Sequence, residues 1–182
     1  MNRIYKKLNE YIPAEQILVD EPMKKHTSFR IGGPADILVL PTDDEGIIHA
    51  VTVCNELSIP IFVMGNGSNL LVRDKGIRGV VLKLSSNYSA VRINETSIKA
   101  QSGVLISTLS KTAVESSLKG LEFASGIPGT LGGAVTMNAG AYGGEMKNVV
   151  ISVKVIDNLG NYNRLQYVGL DFGYRTSCIQ TN

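Results

Sequence analysis

Apolar residues Ile4, Leu8 and Tyr11 recur at helical spacing and predict a short helix over residues 2–11. Residues 36–40 read as a strand that Pro41 ends, and Thr42-Asp43-Asp44-Glu45 then has the form of a capping box. Behind it Ile47, Ile48, Val51, Cys54 and Leu57 make one apolar face on a helix reaching to about Leu57. His49 falls on the polar side of that helix and is expected to face solvent. Residues 61–64 form the next strand. This strand–helix–strand order predicts a right-handed crossover between parallel strands. Residues 70–72 and 80–84 read as further short strands. Residues 90–93 and 97–101 form a hairpin around Asn94-Glu95, and Leu105, Leu109 and Ala113 mark a helix over 105–117. Residues 149–156 and 162–168 are strands around the turn Asn158-Leu159-Gly160-Asn161. No repeat, low-complexity tract or flexible linker interrupts the pattern. The expected architecture is α+β. Residues 1–30 form a helix and lead-in segment, and 31–182 form a domain of two packed lobes that meet near residue 85.

Composition narrows the class. With 182 residues, 43% of them hydrophobic and 19% charged, the chain is large enough for a real core. A net charge of +2 without a run of basic residues does not point to nucleic acid. The apolar runs are strand-length, so no membrane span is expected. Met1-Asn2-Arg3-Ile4-Tyr5-Lys6-Lys7 lacks the apolar segment of a signal peptide, which points to the cytoplasm. The 2 cysteines, Cys54 and Cys178, make neither a disulfide framework nor a metal cluster. Cys54 falls on an apolar helix face and reads as a buried thiol. His26 and His49 have no metal-ligand neighbour at useful spacing; His26 reads as structural.

The chemistry is concentrated in two glycine-rich loops. The first, Gly65-Asn66-Gly67-Ser68-Asn69, follows the strand at 61–64. The second runs from Ser125 through Gly126-Ile127-Pro128-Gly129-Thr130-Leu131-Gly132-Gly133 to Ala134. Eight of the 19 glycines lie between Gly120 and Gly144. Successive backbone amides in such turns form concave anion sites, and glycine admits close approach of a ligand. The first loop is not a dinucleotide fingerprint, because its sixth position is Leu70, and it lacks the Gly-Lys-Ser/Thr ending of a P-loop. Its Asn66, Ser68 and Asn69 side chains can bind phosphate oxygens or brace the turn. The second loop has no Lys or Arg between Leu121 and Glu145, so a pyrophosphate there would be held by backbone amides and a helix N-terminus. Pro128 suits the first turn of that helix. Two such loops suggest a ligand carrying more than one phosphate. A pair of tight structural turns is the competing reading.

Four segments carry a resemblance. They are His26-Thr27-Ser28-Phe29-Arg30-Ile31-Gly32-Gly33, Gly65-Asn66-Gly67-Ser68-Asn69-Leu70, the stretch from Ser125 to Gly144, and Gly173-Tyr174-Arg175-Thr176-Ser177. The chain resembles the UDP-N-acetylenolpyruvoylglucosamine reductase family, collinearly from about residue 22 onward. The most specific portion is Asn138-Ala139-Gly140-Ala141-Tyr142-Gly143. The resemblance implies a two-lobed FAD-binding domain of the PCMH, or vanillyl-alcohol-oxidase, type, with FAD held noncovalently between the lobes. It implies that Asn66, Gly67, Ser68 and Asn69 wrap the pyrophosphate and that Gly126, Ile127, Pro128, Gly129, Thr130, Gly132 and Gly133 supply the opposing backbone. Residues 138–143 would lie near the flavin ring or support it.

The implied reaction passes a hydride from NADPH through FAD to the enolpyruvyl double bond of UDP-N-acetylenolpyruvoylglucosamine, giving UDP-N-acetylmuramate for peptidoglycan. The Tyr-Arg pair of the family corresponds to Tyr174 and Arg175. A fixed guanidinium suits charge developing next to a carboxylate. From the residue alone, Arg175 reads as a surface salt-bridge residue. Family members extend roughly a domain beyond the position of Asn182. Their proton-donating serine (cysteine in some relatives) and late glutamate have no counterparts here. The expectation is a portion that binds FAD with little or no turnover. A noncatalytic flavin or nucleotide-binding module, or another flavoprotein oxidoreductase of the same superfamily, are the alternatives.

Overall fold

The computed structural model describes residues 2–181. They fall into two compact units. One runs up to Asn87 and includes Ile156–Tyr162; the other comprises Tyr88–Val155 and the residues from Asn163 on.

The first unit is built on a four-stranded sheet in the order β1-β2-β4-β3. β1 (Ile17–Pro22) runs antiparallel to β2 (Pro34–Val39), from Ile17 opposite Val39 to Pro22 opposite Pro34. β2 is parallel to β4 (Ile77–Lys83), with an irregularity between Ala35 and Ile37. β3 (Ile61–Met64) is parallel to β4 on its other side, with Ile61 opposite Val80 and Met64 opposite Lys83. The crossover from β2 to β3 is helix α2 (Asp44–Glu56). β4 lies between the two strands that α2 connects. Ile37, Leu38, Val39, Val80 and Val81 are fully buried, so the sheet centre is covered on both faces. Met23, Leu38, Met64, Val72 and Val81 make the core cluster on one face.

Three local expectations need correction. α2 is capped by Asp43, whose Oδ1 accepts from the Gly46 amide at 2.8 Å. That register puts Gly46 at the third helical position, so Thr42 and Glu45 cannot form the reciprocal box. His49 does not face solvent. Its Nε2 lies 2.8 Å from the Lys7 carbonyl, its ring centroid is 4.4 Å from that of Tyr11, and Lys7 pairs with Glu56 at 2.9 Å. Helix α1 (Asn2–Leu8) is thereby clasped to α2, with Leu8 and Ile12 buried below. Residues 70–72 form no strand. Val72 turns into the core beside Gly32, and the next carbonyl, that of Arg73, accepts from the Gly33 amide at 3.0 Å.

The second unit opens with the hairpin β5 (Val91–Asn94) and β6 (Ser97–Ala100), closed by Glu95 at φ 49° and Thr96. Helix α3 (Ile106–Glu115) follows and buries Ile106, Leu109 and Ala113. α4 (Leu131–Thr136) starts three residues after Pro128 rather than at it. Gly129 has φ 116°, which no helix admits, and Thr130 occupies the cap position. The short pair β7 (Gly140–Ala141) and β8 (Gly144–Glu145) surrounds a turn, and β9 (Ser152–Ile156) pairs with β10 (Tyr162–Gln166). α5 (Cys178–Thr181) is the last element. Ile106, Ala124, Ala134, Val135, Ala139 and Met146 form the core of this unit. The tip of the β9–β10 hairpin belongs to the first unit, where the Tyr162 hydroxyl donates to Asp44 at 2.9 Å and the Asp157 carboxylate accepts from the amides of Leu159 and Asn161. Among the described residues, no helix is long and apolar enough to cross a membrane.

Candidate functional site

The first glycine loop leaves the carboxyl end of β3, where parallel sheets commonly bind ligands. Gly67 has φ 67°, and a Cβ there would run into the carbonyl oxygen of His26. The Ser28 amide donates to the Gly67 carbonyl at 3.1 Å, so the loop is bound to the segment around His26. Asn66 and Asn69 are exposed, and the Ser85 hydroxyl lies 3.5 Å from Asn66 Oδ1. No carbonyl of the described chain takes the amide hydrogens of Asn66, Gly67 or Asn69. Backbone amides without an internal acceptor are what an anion requires.

Beneath this loop the fold assembles a group that no sequence motif announced. Lys83, the last residue of β4, places Nζ 3.1 Å from His26 Nδ1, and His26 Nε2 lies 3.0 Å from Glu21 Oε1. An ammonium can only donate, so Nδ1 accepts and the ring donates from Nε2 to the carboxylate. The Glu21 and His26 side chains are 15% and 14% exposed. Burial pushes the Glu21 carboxyl up, but hydrogen bonds from His26 and Lys25 outweigh it and hold the group below its ordinary 4.5. Burial pushes the Lys83 ammonium below its ordinary range. The one available sequence signal was a lysine closing the apolar run Val80-Val81-Leu82, two residues beyond the core residue Val81 and hence on the same face.

The second glycine loop is stitched to residues 102–106 of its own unit. Leu131 donates to the Val104 carbonyl at 2.8 Å, Gly132 to Ser102 at 2.8 Å, and Ile106 to Gly129 at 3.1 Å. A Cβ on Gly132 would stand 2.8 Å from that of Ser102. The glycine at 132 therefore serves packing, and its amide is engaged inside the protein. The Ile127 amide is likewise engaged, by Ala124, and that of Ala134 by Thr130. The amides of Gly126, Gly129, Thr130 and Gly133 meet no acceptor among the described residues. Gly126 has no neighbour within 4 Å of a Cβ position, and Gly133 has none closer than 3.8 Å. Exposed Pro128 adds no amide and only presets the turn.

Tyr174 and Arg175 form the tip of a tight turn, with Gly173 and Thr176 bridged across it and Arg175 at φ 56°. Tyr174 is 93% exposed. Arg175 is exposed, with no carboxylate at ion-pair distance among the described residues. Two buried side chains pin this turn. Ser177 donates to the Thr136 carbonyl at 2.9 Å, and Asn138 Nδ2 donates to the Gly173 carbonyl at 2.9 Å. Asn138, 2% exposed and at φ 41°, also donates to Glu145 at 2.8 Å and accepts from the Lys147 amide at 3.0 Å. Hydrogen bonds from Lys147 and Asn138 hold the Glu145 carboxyl below its ordinary range. One asparagine thus ties the 138–147 segment to the base of the Tyr174-Arg175 turn.

Two glycine loops with amides that meet no acceptor among the described residues, in an α+β frame, fit a nucleotide-cofactor protein, and the comparisons specify which kind. Residues 35–166 match the family described as FAD binding domain, and the chain belongs to that family. It is 54% identical over 98% of its length to the UDP-N-acetylenolpyruvoylglucosamine reductase of Clostridioides difficile (strain 630), covering 59% of that relative. It superposes on the crystal structure of UDP-N-acetylenolpyruvylglucosamine reductase from Thermus caldophilus with a TM-score of 0.74 at 34% identity, over 88% of this chain and 55% of that one. Alkyldihydroxyacetonephosphate synthase shares the fold, with a TM-score of 0.69 at 19% identity over 91% of this chain and 35% of that one. The chain therefore spans about three-fifths of the length of its close relative. The fold is the PCMH, or vanillyl-alcohol-oxidase, FAD-binding type, and FAD is the cofactor of this domain. The residues present fit it: open amides without side-chain bulk at Gly126 and Gly133, and a half-buried cation near the first loop.

Proposed function

We propose that this chain forms the flavin-binding part of a cytoplasmic, NADPH-dependent UDP-N-acetylenolpyruvoylglucosamine reductase that makes UDP-N-acetylmuramate. The observation that carries the reading beyond FAD binding is Arg175, held by a pinned turn with no carboxylate at ion-pair distance among the described residues. A guanidinium so presented is suited to a bidentate grip on a substrate carboxylate.

In this reading Asn66, Gly67, Ser68 and Asn69 of the first unit offer donors to the FAD diphosphate. In the second unit the backbone of Gly126, Ile127, Pro128, Gly129, Thr130, Gly132 and Gly133 also serves the cofactor, with the amides of Gly126, Gly129, Thr130 and Gly133 as the donors. Bound FAD supplies hydride transfer between NADPH and the enolpyruvyl double bond. Arg175 faces the negative charge of the enolpyruvyl carboxylate, and preorganisation makes that contact stronger than an exposed ion pair. Tyr174 flanks the guanidinium as a substrate contact.

The first test is titration of FAD with the purified chain, followed by flavin fluorescence and absorbance; saturable binding is expected. The second is a chimera in which residues 1–182 precede the C-terminal remainder of the Clostridioides difficile relative. NADPH oxidation dependent on UDP-N-acetylenolpyruvoylglucosamine is expected, with a loss of about 10²-fold or more in kcat for Arg175→Ala. An Arg175→Ala chimera that binds FAD and turns over as fast as the unsubstituted chimera defeats the assignment.

A further inference from the structure

We infer that Lys83, oriented by the Glu21–His26 pair, is a cation that pairs with the cofactor's diphosphate at the first glycine loop and offsets one of its two negative charges. The inference rests on the FAD reading above and adds to it a residue outside every loop motif.

Topology places the lysine there. It is the strand partner of Met64, and Gly65, the next residue of β3's chain, opens the loop. Its side chain leaves β4 on the same face as Val81, which packs with Met23 and Met64, and Met23 begins the one-turn helix that ends just before His26. His26 then touches both partners. Its ring accepts from the lysine at 3.1 Å, and its carbonyl lies against Gly67.

The electrostatics point the same way. Lys83 is half-buried and forms no ion pair among the described residues; Glu21 is separated from it by the imidazole. A half-buried ammonium without a counter-ion carries a desolvation penalty that a nearby anion relieves. His26 takes one of its three hydrogens, which leaves donors for phosphate oxygens. The Glu21 carboxylate fixes the imidazole tautomer, so the ring can only accept from the lysine and holds it in one position. This arrangement also gives the diphosphate a positive charge although neither glycine loop contains a lysine or arginine.

The test compares FAD with riboflavin, which has the same ring and no phosphate. For the wild-type chain, FAD binding is measured by fluorescence quenching at fixed ionic strength. Lys83→Met is expected to weaken FAD about ten- to hundredfold, the range of one charge-assisted hydrogen bond, and to leave riboflavin unchanged. Lys83→Arg is expected to keep FAD within a few-fold, and His26→Gln to fall between. The melting temperature of FAD-free Lys83→Met should not drop, because the change removes an uncompensated charge.

Wild-type chain that binds no FAD overturns the functional reading and this inference with it. Wild-type chain that binds FAD, with Lys83→Met binding equally well, overturns this inference alone. So does a variant that loses FAD and riboflavin together with a lower melting temperature, the mark of a structural role. Acetylation of the wild-type chain with and without FAD, read by mass spectrometry, decides the matter if Lys83→Met does not fold. FAD should slow labelling of Lys83 severalfold but not that of Lys111, and unchanged labelling at Lys83 overturns the inference.

Discussion

Asn138→Ala should detach the Tyr174-Arg175 turn from the 138–147 segment of the same unit. The wild-type amide makes three hydrogen bonds: to the Glu145 carboxylate, to the Gly173 carbonyl and from the Lys147 amide. The two neutral pairs, with Gly173 and Lys147, are worth about 0.5–1.5 kcal/mol each, and the bond to the solvent-screened Glu145 carboxylate adds little. Asn138 is also at φ 41°, a conformation that asparagine tolerates and that costs alanine about 1 kcal/mol. The two neutral bonds and the backbone penalty together give an expected loss of about 2–4 kcal/mol, among the larger single-residue effects. Asn138→Gly removes the same bonds without the backbone penalty and should recover about 1 kcal/mol.

Urea denaturation gives the stability difference. Limited trypsin digestion reads the turn directly, because the bond after Arg175 is a cleavage site in the loop that Asn138 holds. Cleavage there should accelerate at least about tenfold in the alanine variant, relative to cleavage after Lys7 in the first unit. A loss below about 1 kcal/mol with unchanged cleavage after Arg175 refutes the pinning argument. Loss of stability with equal acceleration at both sites shows general unfolding and refutes it as well.

Two further outcomes follow from titratable groups. Glu21 has a folded pKa below its ordinary 4.5, so its ionic contacts contribute fully above that pH and are lost as pH falls through the folded value. The melting-temperature gap between wild type and Glu21→Gln should be constant from about pH 7 to 5 and close as pH falls further below 4.5; a gap that widens in acid contradicts the sign. Cys54 is 1% exposed, and burial pushes its thiol up to about 11. At about pH 8 a thiol-disulfide reagent should modify the half-buried Cys178 within minutes and reach Cys54 only after unfolding, and rapid native labelling of both contradicts the packing.

Local patterns were legible wherever the cause was local. The helical stripe behind Pro41, the hairpin at Glu95-Thr96 and the turn at Asp157–Asn161 depend on residues within a few positions of one another. Errors arose where a distant segment intervened. The cap of α2 is the one local exception: Asp43, next to Thr42, takes the cap. His49 sits on the polar side of its own helix, yet α1 returns to cover that side. Residues 70–72 have strand composition, but the segment beside them is occupied by Gly32 and Gly33. At the second glycine loop, Pro128 looked like a helix start, whereas the bonds from residues 129–132 to residues 102–106 hold the chain extended until Thr130.

The sequence by itself determined the two glycine loops, the family and hence FAD, because close approach of backbone to phosphate demands glycines in a contiguous stretch that no substitution can supply from elsewhere. Only the tertiary structure decided which amides remain open, that Asn138 and Ser177 pin the Tyr174-Arg175 turn, and that Lys83 meets His26 and Glu21. Lys83 and His26 are 57 positions apart, and Asn138 and Gly173 are 35. Side chains are short and directional, so such meetings are set by strand order and register, which no spacing along the chain encodes.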